Sequence, residues 1–205
     1  MNYSQDESFA LSLDEQDEIK EYRNQFYIPS SENREKSIYF CGNSLGLQPK
    51  KAEEFVLEEI KNWKTMGVKG HTEGQTPWYP FHELLTENTS EIVGGRSSEV
   101  VVMNSLTVNI HLLMVSFYRP AKKRFKILIE DNAFPSDRYA IESQIRFHGF
   151  DPQNALIVMK SQNNQPYLTT EEICDYIEKE KDNIALLFLG GVNYYTGQVF
   201  DMKTI

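Results

Sequence analysis

The sequence predicts an α/β fold: a three-layer, mostly parallel sheet with helices on both faces, preceded by a helical N-terminal segment and incomplete within the 205 residues. Three observations predict it. Runs such as Val100-Val101-Val102, Ile127-Leu128-Ile129 and Leu156-Ile157-Val158 are apolar without alternation, as strands buried on both faces must be. Stretches of helical spacing separate these runs, and each is long enough to carry the chain back for a parallel pairing. Beyond residue 197, Phe200, Met202 and Ile205 ask for burial with no cap or polar tail after them, which reads as the opening of a further unit.

In order along the chain, residues 1–12 read as a loose acidic arm. A helix is predicted over 14–26, with Ile19, Tyr22 and Phe26 on one face and acids in its first turn, ended by Pro29 and the polar run 30–36. The strand formers of 37–41 then lead into the turn sequence Gly42-Asn43-Ser44-Leu45-Gly46. Behind Pro49, the spacing of Ala52, Phe55, Val56, Ile60 and Trp63 predicts a helix. Residues 67–80, rich in glycine and proline, form a long irregular loop, and such loops within domains are often functional. From there the pattern is regular: helix 81–93, strand 99–103, helix 106–118, strand 126–130, helix 135–147, strand 155–159, helix 170–180 and strand 184–188. The change of pattern divides the chain into residues 1–80, with arm, helices and glycine-rich loop, and residues 81–205, the first part of a larger domain.

The net charge of −9 argues against a nucleic-acid or anionic-membrane surface, which needs clustered positive charge. Cys41 and Cys174 are the only cysteines, with no CxxC and no His-Cys grouping, so neither a disulfide framework nor a metal site is expected. The acidic N-terminus lacks the apolar run of a secretory signal and the arginines of a mitochondrial presequence, and no apolar stretch approaches the roughly 20 residues that span a bilayer. A cytoplasmic location is expected.

In open α/β sheets, ligands collect at the carboxyl ends of strands, where helix N-termini offer free N–H groups. Two junctions meet that description. At Asn104-Ser105-Leu106-Thr107, backbone N–H groups near Leu106 and Thr107 could hold a phosphate, or Asn104 or Ser105 could simply cap the helix. At Phe134-Pro135-Ser136-Asp137, the aromatic could stack on a flat ring and Asp137 could pair with a cationic nitrogen. The alternative is a core Phe134 and an Asp137 that only complements the helix dipole. His71 is a candidate polar substrate contact in the glycine-rich loop, or a merely solvated side chain, while His82, His111 and His148 read as packing or surface residues. No dinucleotide fingerprint, Walker sequence, Ser/His/Asp set or paired metal-ligand motif is present.

Taken together, five segments resemble the kynureninase family. They are the run from Tyr39 to Pro49 around Gly42-Asn43-Ser44-Leu45-Gly46, Gly70-His71, the run from Asn104 to Asn109, the run from Phe134 to Ser143, and Gly191-Val192 with Tyr195-Thr196-Gly197-Gln198. The resemblance extends along essentially the whole chain, and the first and fourth segments are long and specific. It implies the large-domain fold of the aspartate-aminotransferase superfamily, pyridoxal 5'-phosphate as cofactor, and a homodimer. By similarity, Leu106 and Thr107 hold the cofactor phosphate, Phe134, Pro135, Ser136 and Asp137 line its ring, and Ser44 and His71 help to bind L-kynurenine. The implied reaction is hydrolysis of kynurenine, or of its 3-hydroxy form, to the anthranilate and L-alanine. The family's Schiff-base lysine is expected beyond Ile205, so the chain alone is expected to be inactive. Gly190 stands where related sequences carry serine. The alternatives are a non-catalytic form that only binds partner subunits and a cysteine desulfurase-like lyase, the latter disfavoured by the Gly42–Gly46 and Phe134–Asp137 segments.

Overall fold

The computed structural model describes residues 3–30, 36–163 and 165–205, so most of the polar run predicted to end the first helix, 31–35, lies outside the described residues. Contacts divide the chain into two compact units, Met1–Val101 and Val102–Ile205.

The first unit is helical. Helix α1 spans Glu7–Gln16, α2 spans Lys51–Met66 and α3 spans Phe81–Val93, with 3₁₀ turns at Lys20–Gln25, Gly67–His71 and Ser97–Glu99. The predicted helix over 14–26 is thus corrected: a helix starts earlier, inside the supposed arm, and stops at Gln16. Its end has a local cause. Asp17 takes an extended conformation (φ −67°, ψ 117°) and its carboxylate accepts the Ile19 N–H at 3.0 Å, a local turn that competes with the next helical bond. The predicted strand over 37–41 is also corrected. The one isolated antiparallel bridge nearby, Ser30 with Lys36, falls just before the segment, and Ile38 and Phe40 are exposed. Strand propensity is a fit to a neighbouring strand, and none adjoins this segment among the described residues. Helix α2 forms as predicted, but Phe55, Ile60 and Trp63 on its apolar stripe stay exposed, and it buries no residue.

The second unit carries the layered core. Helix α4 is Leu106–Phe117, strand β1 Lys126–Glu130, α5 Pro135–Phe147, the short α6 Pro152–Ala155, β2 Leu156–Met159, α7 Thr170–Glu180 and β3 Ile184–Phe188. The strands form a parallel sheet of order β2-β1-β3, with Leu128 opposite Ile157 on one side and Leu187 on the other. Alternation along the central strand splits its side chains between two cores. Ile127 and Ile129 pack with Ile110 and Met114 of α4 and Ala140, Ile141 and Ile145 of α5. Leu128 packs with Ile173 of α7, Met159, Leu168 and Phe200. Helices therefore cover both faces, as predicted for a doubly covered parallel sheet. The predicted strand over 99–103 is corrected: Val100 is extended (φ −121°, ψ 134°), but no strand pairs with this run, and Val101 and Met103 are exposed.

Caps decide where α7 begins. The Thr169 hydroxyl accepts the Glu172 N–H at 3.2 Å and Glu172 accepts the Thr169 N–H at 2.9 Å, a capping box. Glu172 also accepts the Gln162 N–H and the Ser161 hydroxyl, so one carboxylate ties the turn after β2 to α7. The Thr169 and Gln162 backbone N–H groups hold the Glu172 carboxyl below the usual range. A depressed carboxyl stabilises the fold above the ordinary carboxylate range and loses that contribution as pH falls through its lowered value. Glu172→Gln is therefore expected to flatten the acid limb of the stability profile. An acid titration of unfolding that keeps its wild-type slope would refute this.

Candidate functional site

The strand order carries a geometric consequence. The chain leaves β1 through α5 to reach β2 on one side, then crosses through α7 to β3 on the other side of β1. The connections diverge between β1 and β3, and the loops leaving the carboxyl ends of these two strands border a crevice at that switch point.

Four side chains meet there. Glu130 ends β1 and is buried at 7% exposure, a carboxylate closing the apolar run Ile127-Leu128-Ile129. Asn193, from the loop after β3 and also buried, donates from Nδ2 to Glu130 Oε2 at 2.9 Å. Burial pushes the Glu130 carboxyl up, the Asn193 amide and the Gly190 backbone N–H pull it back, and the nearby Asp137 charge pushes it further up. The Asn193 side-chain oxygen accepts the Tyr195 N–H, the Thr196 N–H and the Thr196 hydroxyl at 3.0, 2.9 and 3.1 Å. That closes the turn and sets Tyr194 edge-on to Phe134, with ring centroids 5.0 Å apart and planes at 82°. A cleft of about 480 Å³ opens beside Glu130 and Tyr194, lined also by Asn132, Ala133 and Pro135, by Arg138, Tyr139 and Glu142 of α5 and by Val158 of β2; Phe134, Ser136 and Asp137 adjoin it in sequence and do not line it.

The turn from β1 into α5 sets up this corner. Asn132 sits in the left-handed region (φ 59°), which asparagine tolerates better than most residues, and Pro135 opens α5. Phe134 is half-exposed at the N-cap position. Asp137 stands in the first turn, and burial pushes its carboxyl up against the opposing Ser136 hydroxyl at 3.3 Å.

Leu106 and Thr107 open α4, again behind a left-handed asparagine, Asn104 (φ 41°). Ser105 occupies the N-cap position without a side-chain hydrogen bond to the helix, so the capping alternative for that residue is not realised. Leu106 and Thr107 are exposed and neither lines the cleft beside Glu130. His111 of α4 hydrogen-bonds Gln144 of α5 at 2.8 Å, a packing contact between helices.

Within the first unit, Ser44 lies in an exposed turn, its N–H donating to the Cys41 carbonyl at 2.9 Å. His71 ends a 3₁₀ turn and packs edge-on against Trp78, centroids 5.2 Å apart. Glu59 of α2 anchors this loop, accepting the Trp78 indole N–H and the Thr76 hydroxyl, both at 2.7 Å. Those two donors hold the Glu59 carboxyl below the usual range. No hydrogen bond joins Ser44 to His71 among the described residues.

The sequence reading passed over Glu130, Asn193, Tyr194 and Glu59. A signal existed for the first: a lone carboxylate at the carboxyl end of an apolar parallel strand has no packing reason to be there. Glu59 has no such signal: it sits in α2 among Glu53, Glu54 and Glu58, and nothing in its spacing distinguishes it from Glu58.

No family model matches the chain. Among curated proteins, a kynureninase of Koribacter versatilis is 51% identical over 199 residues, covering 97% of this chain and 47% of that protein. The match is to an amino-terminal portion of kynureninase. The kynureninase of Flavobacterium psychrophilum is 52% identical over 96% of the chain and 46% of its own length, and that of Mus musculus 43% over 98% and 46%. The chain spans about half the length of the curated kynureninases it matches. Among the described residues no helix is long and apolar enough to cross a membrane, and no group of three or more His, Cys, Asp or Glu side chains could hold a metal.

Proposed function

We propose that the chain supplies the phosphate-holding and ring-stacking side of a pyridoxal-phosphate enzyme that hydrolyses L-kynurenine, or its 3-hydroxy form, to the anthranilate and L-alanine. The observation that carries this reading is the β1–α5 corner, where a half-exposed aromatic and a carboxylate with no cationic partner among the described residues stand on one turn, with Pro135 between them lining the neighbouring cleft.

The residues fit such a cofactor. The Asp137 carboxyl is raised by burial, with only the Ser136 hydroxyl donating to it among the described residues. A protonated ring nitrogen would supply the missing charge and bring that carboxyl back down. The Phe134 ring offers a stacking face, and the α4 N-terminus, free of a side-chain cap, offers N–H groups and a positive dipole end to a dianionic phosphate. When bound, the cofactor serves as the electron sink for bond cleavage beside the amino-acid carbon. Leu106 and Thr107 would grip its phosphate, Phe134 and Pro135 would fix its plane, and Asp137 would hold a proton on its ring nitrogen. Ser44 and His71 would bind the kynurenine side chain. No lysine lines the cleft. The reactive amine is therefore part of the proposal for the remainder of a kynureninase-length protein, as are the homodimer and a cytoplasmic location.

The test uses pyridoxal phosphate and the chain itself. Wild-type protein is expected to bind the cofactor without releasing fluorescent anthranilate from kynurenine, and Asp137→Asn is expected to weaken binding by about tenfold or more, the cost of one charge-assisted contact. Equal affinity of wild type and variant would remove Asp137 from the site, and anthranilate release at an enzymatic rate would refute the assignment of the amine elsewhere.

A further inference from the structure

Resting on that site reading, we propose that Glu130 is a positioning residue for the cofactor-stacking ring: its buried carboxylate holds Asn193, and Asn193 holds the turn that seats Tyr194 against Phe134. The links are continuous. Glu130 Oε2 accepts the Asn193 amide at 2.9 Å. The other end of the same amide accepts three donors from Tyr195 and Thr196, and the Asn193 N–H and carbonyl close the turn on Gln198 and Gly197 at 2.9 Å each. Val192 bridges Val199 across the base of this turn, so Tyr194 has little freedom to leave Phe134.

The arrangement requires a buried acceptor at residue 130, and residue 190 packs close beside it. A Cβ on Gly190 would meet Glu130 Oε1 at 3.4 Å and the Val192 carbonyl oxygen at 3.3 Å, so glycine gives the loop backbone its close approach to the carboxylate. Burying a carboxylate is costly, and an apolar residue would complete β1 more cheaply if the strand only had to pack. Its retention is explained by the turn it organises. The three donors at the Asn193 oxygen fix the amide's orientation, so its Nδ2 faces residue 130 and loses the acceptor it has there when Glu130 is removed.

The test compares Glu130→Leu, Glu130→Gln, Asn193→Ala and Phe134→Leu, each confirmed as folded by far-UV dichroism. Two readouts are used: amide exchange at Tyr195 and Thr196 in the free chain, and the induced dichroism of bound pyridoxal phosphate. Glu130→Leu and Asn193→Ala are expected to speed exchange at both amides about tenfold and to lower the induced dichroism, while Glu130→Gln, which keeps an acceptor, stays near wild type in both. If Glu130→Leu does not fold, Asn193→Ala decides, since it cuts the same link from the loop. Wild-type exchange and dichroism in the folded Leu or Ala variant would overturn the proposal, and so would equal loss in Glu130→Gln and Glu130→Leu. An unchanged dichroism in Phe134→Leu would instead overturn the site reading, a failure separable from the first because the exchange measurement needs no cofactor.

Discussion

Leu128→Ala is expected to lower the unfolding free energy of the sheet-bearing unit by about 2–5 kcal/mol, the range for truncating a buried leucine. Leu128 is fully buried at the middle of the central strand, with parallel neighbours on both sides and α7 across one face. Met159 and Ile173 are themselves fully buried, and the Leu168 N–H donates to the Gln198 side-chain oxygen while the Gln198 amide donates to the Leu168 carbonyl. Against a total stability of about 5–15 kcal/mol for an ordinary domain, the loss is large. Urea unfolding followed by the protection of β1 amides would show it. A shift below about 1 kcal/mol, with the denaturant slope unchanged, would mean that the second core is looser than its burial indicates.

Gly70→Ala is expected to cost about 1–3 kcal/mol through overpacking and to displace His71. A Cβ at residue 70 would lie 2.6, 2.8 and 2.9 Å from three ring carbons of Trp78. The indole cannot simply swing aside, because its N–H donates to Glu59 at 2.7 Å, its backbone N–H donates to the Gly70 carbonyl at 3.1 Å, and the Tyr79 N–H donates to the His71 carbonyl at 3.0 Å. The strain must therefore break the Glu59 bond or move the Gly70-His71 backbone. Trp78→Phe in the Gly70→Ala background removes the second ring and should recover part of the loss. Strict additivity of the two changes in thermal melts would rule out the steric account.

Much of the second unit was legible because its strands and helices obey local rules. Ile127-Leu128-Ile129 reads as a strand buried on both faces, Pro135 opens α5 where the pattern places a helix start, and α7 spans the predicted 170–180. Errors fell where an element depends on a partner distant in sequence. The runs 37–41 and 99–103 have the composition of strands, yet a ladder needs a second strand, and local propensity cannot supply one. The first helix failed for a different reason: Asp17 reads as one more acid in a helical turn, but its side chain captures the Ile19 N–H instead. Phe134 and Asp137 were legible as residues of a strand-to-helix turn, which is where the structure places them. Asn193 and Tyr194 were not, because only the β2-β1-β3 order brings the loop after β3 to the end of β1.

That strand order also governs how the molecule can be made. β1 is the most buried strand, and both of its neighbours come later in the chain, β2 after the α5 crossover and β3 after α7. During synthesis at about 5–20 residues per second, the run Ile127-Leu128-Ile129 emerges and waits on the order of seconds for its flanking strands. Through that interval it is a short apolar segment of high strand propensity with both edges open, the kind of sequence that pairs with other chains. Lys126 and Glu130 at its ends place opposite charges beside it, and each later takes a native partner, Glu180 and Asn193. The interval in which β1 itself stands unpaired therefore falls within synthesis, and it ends when β3 pairs with its second edge.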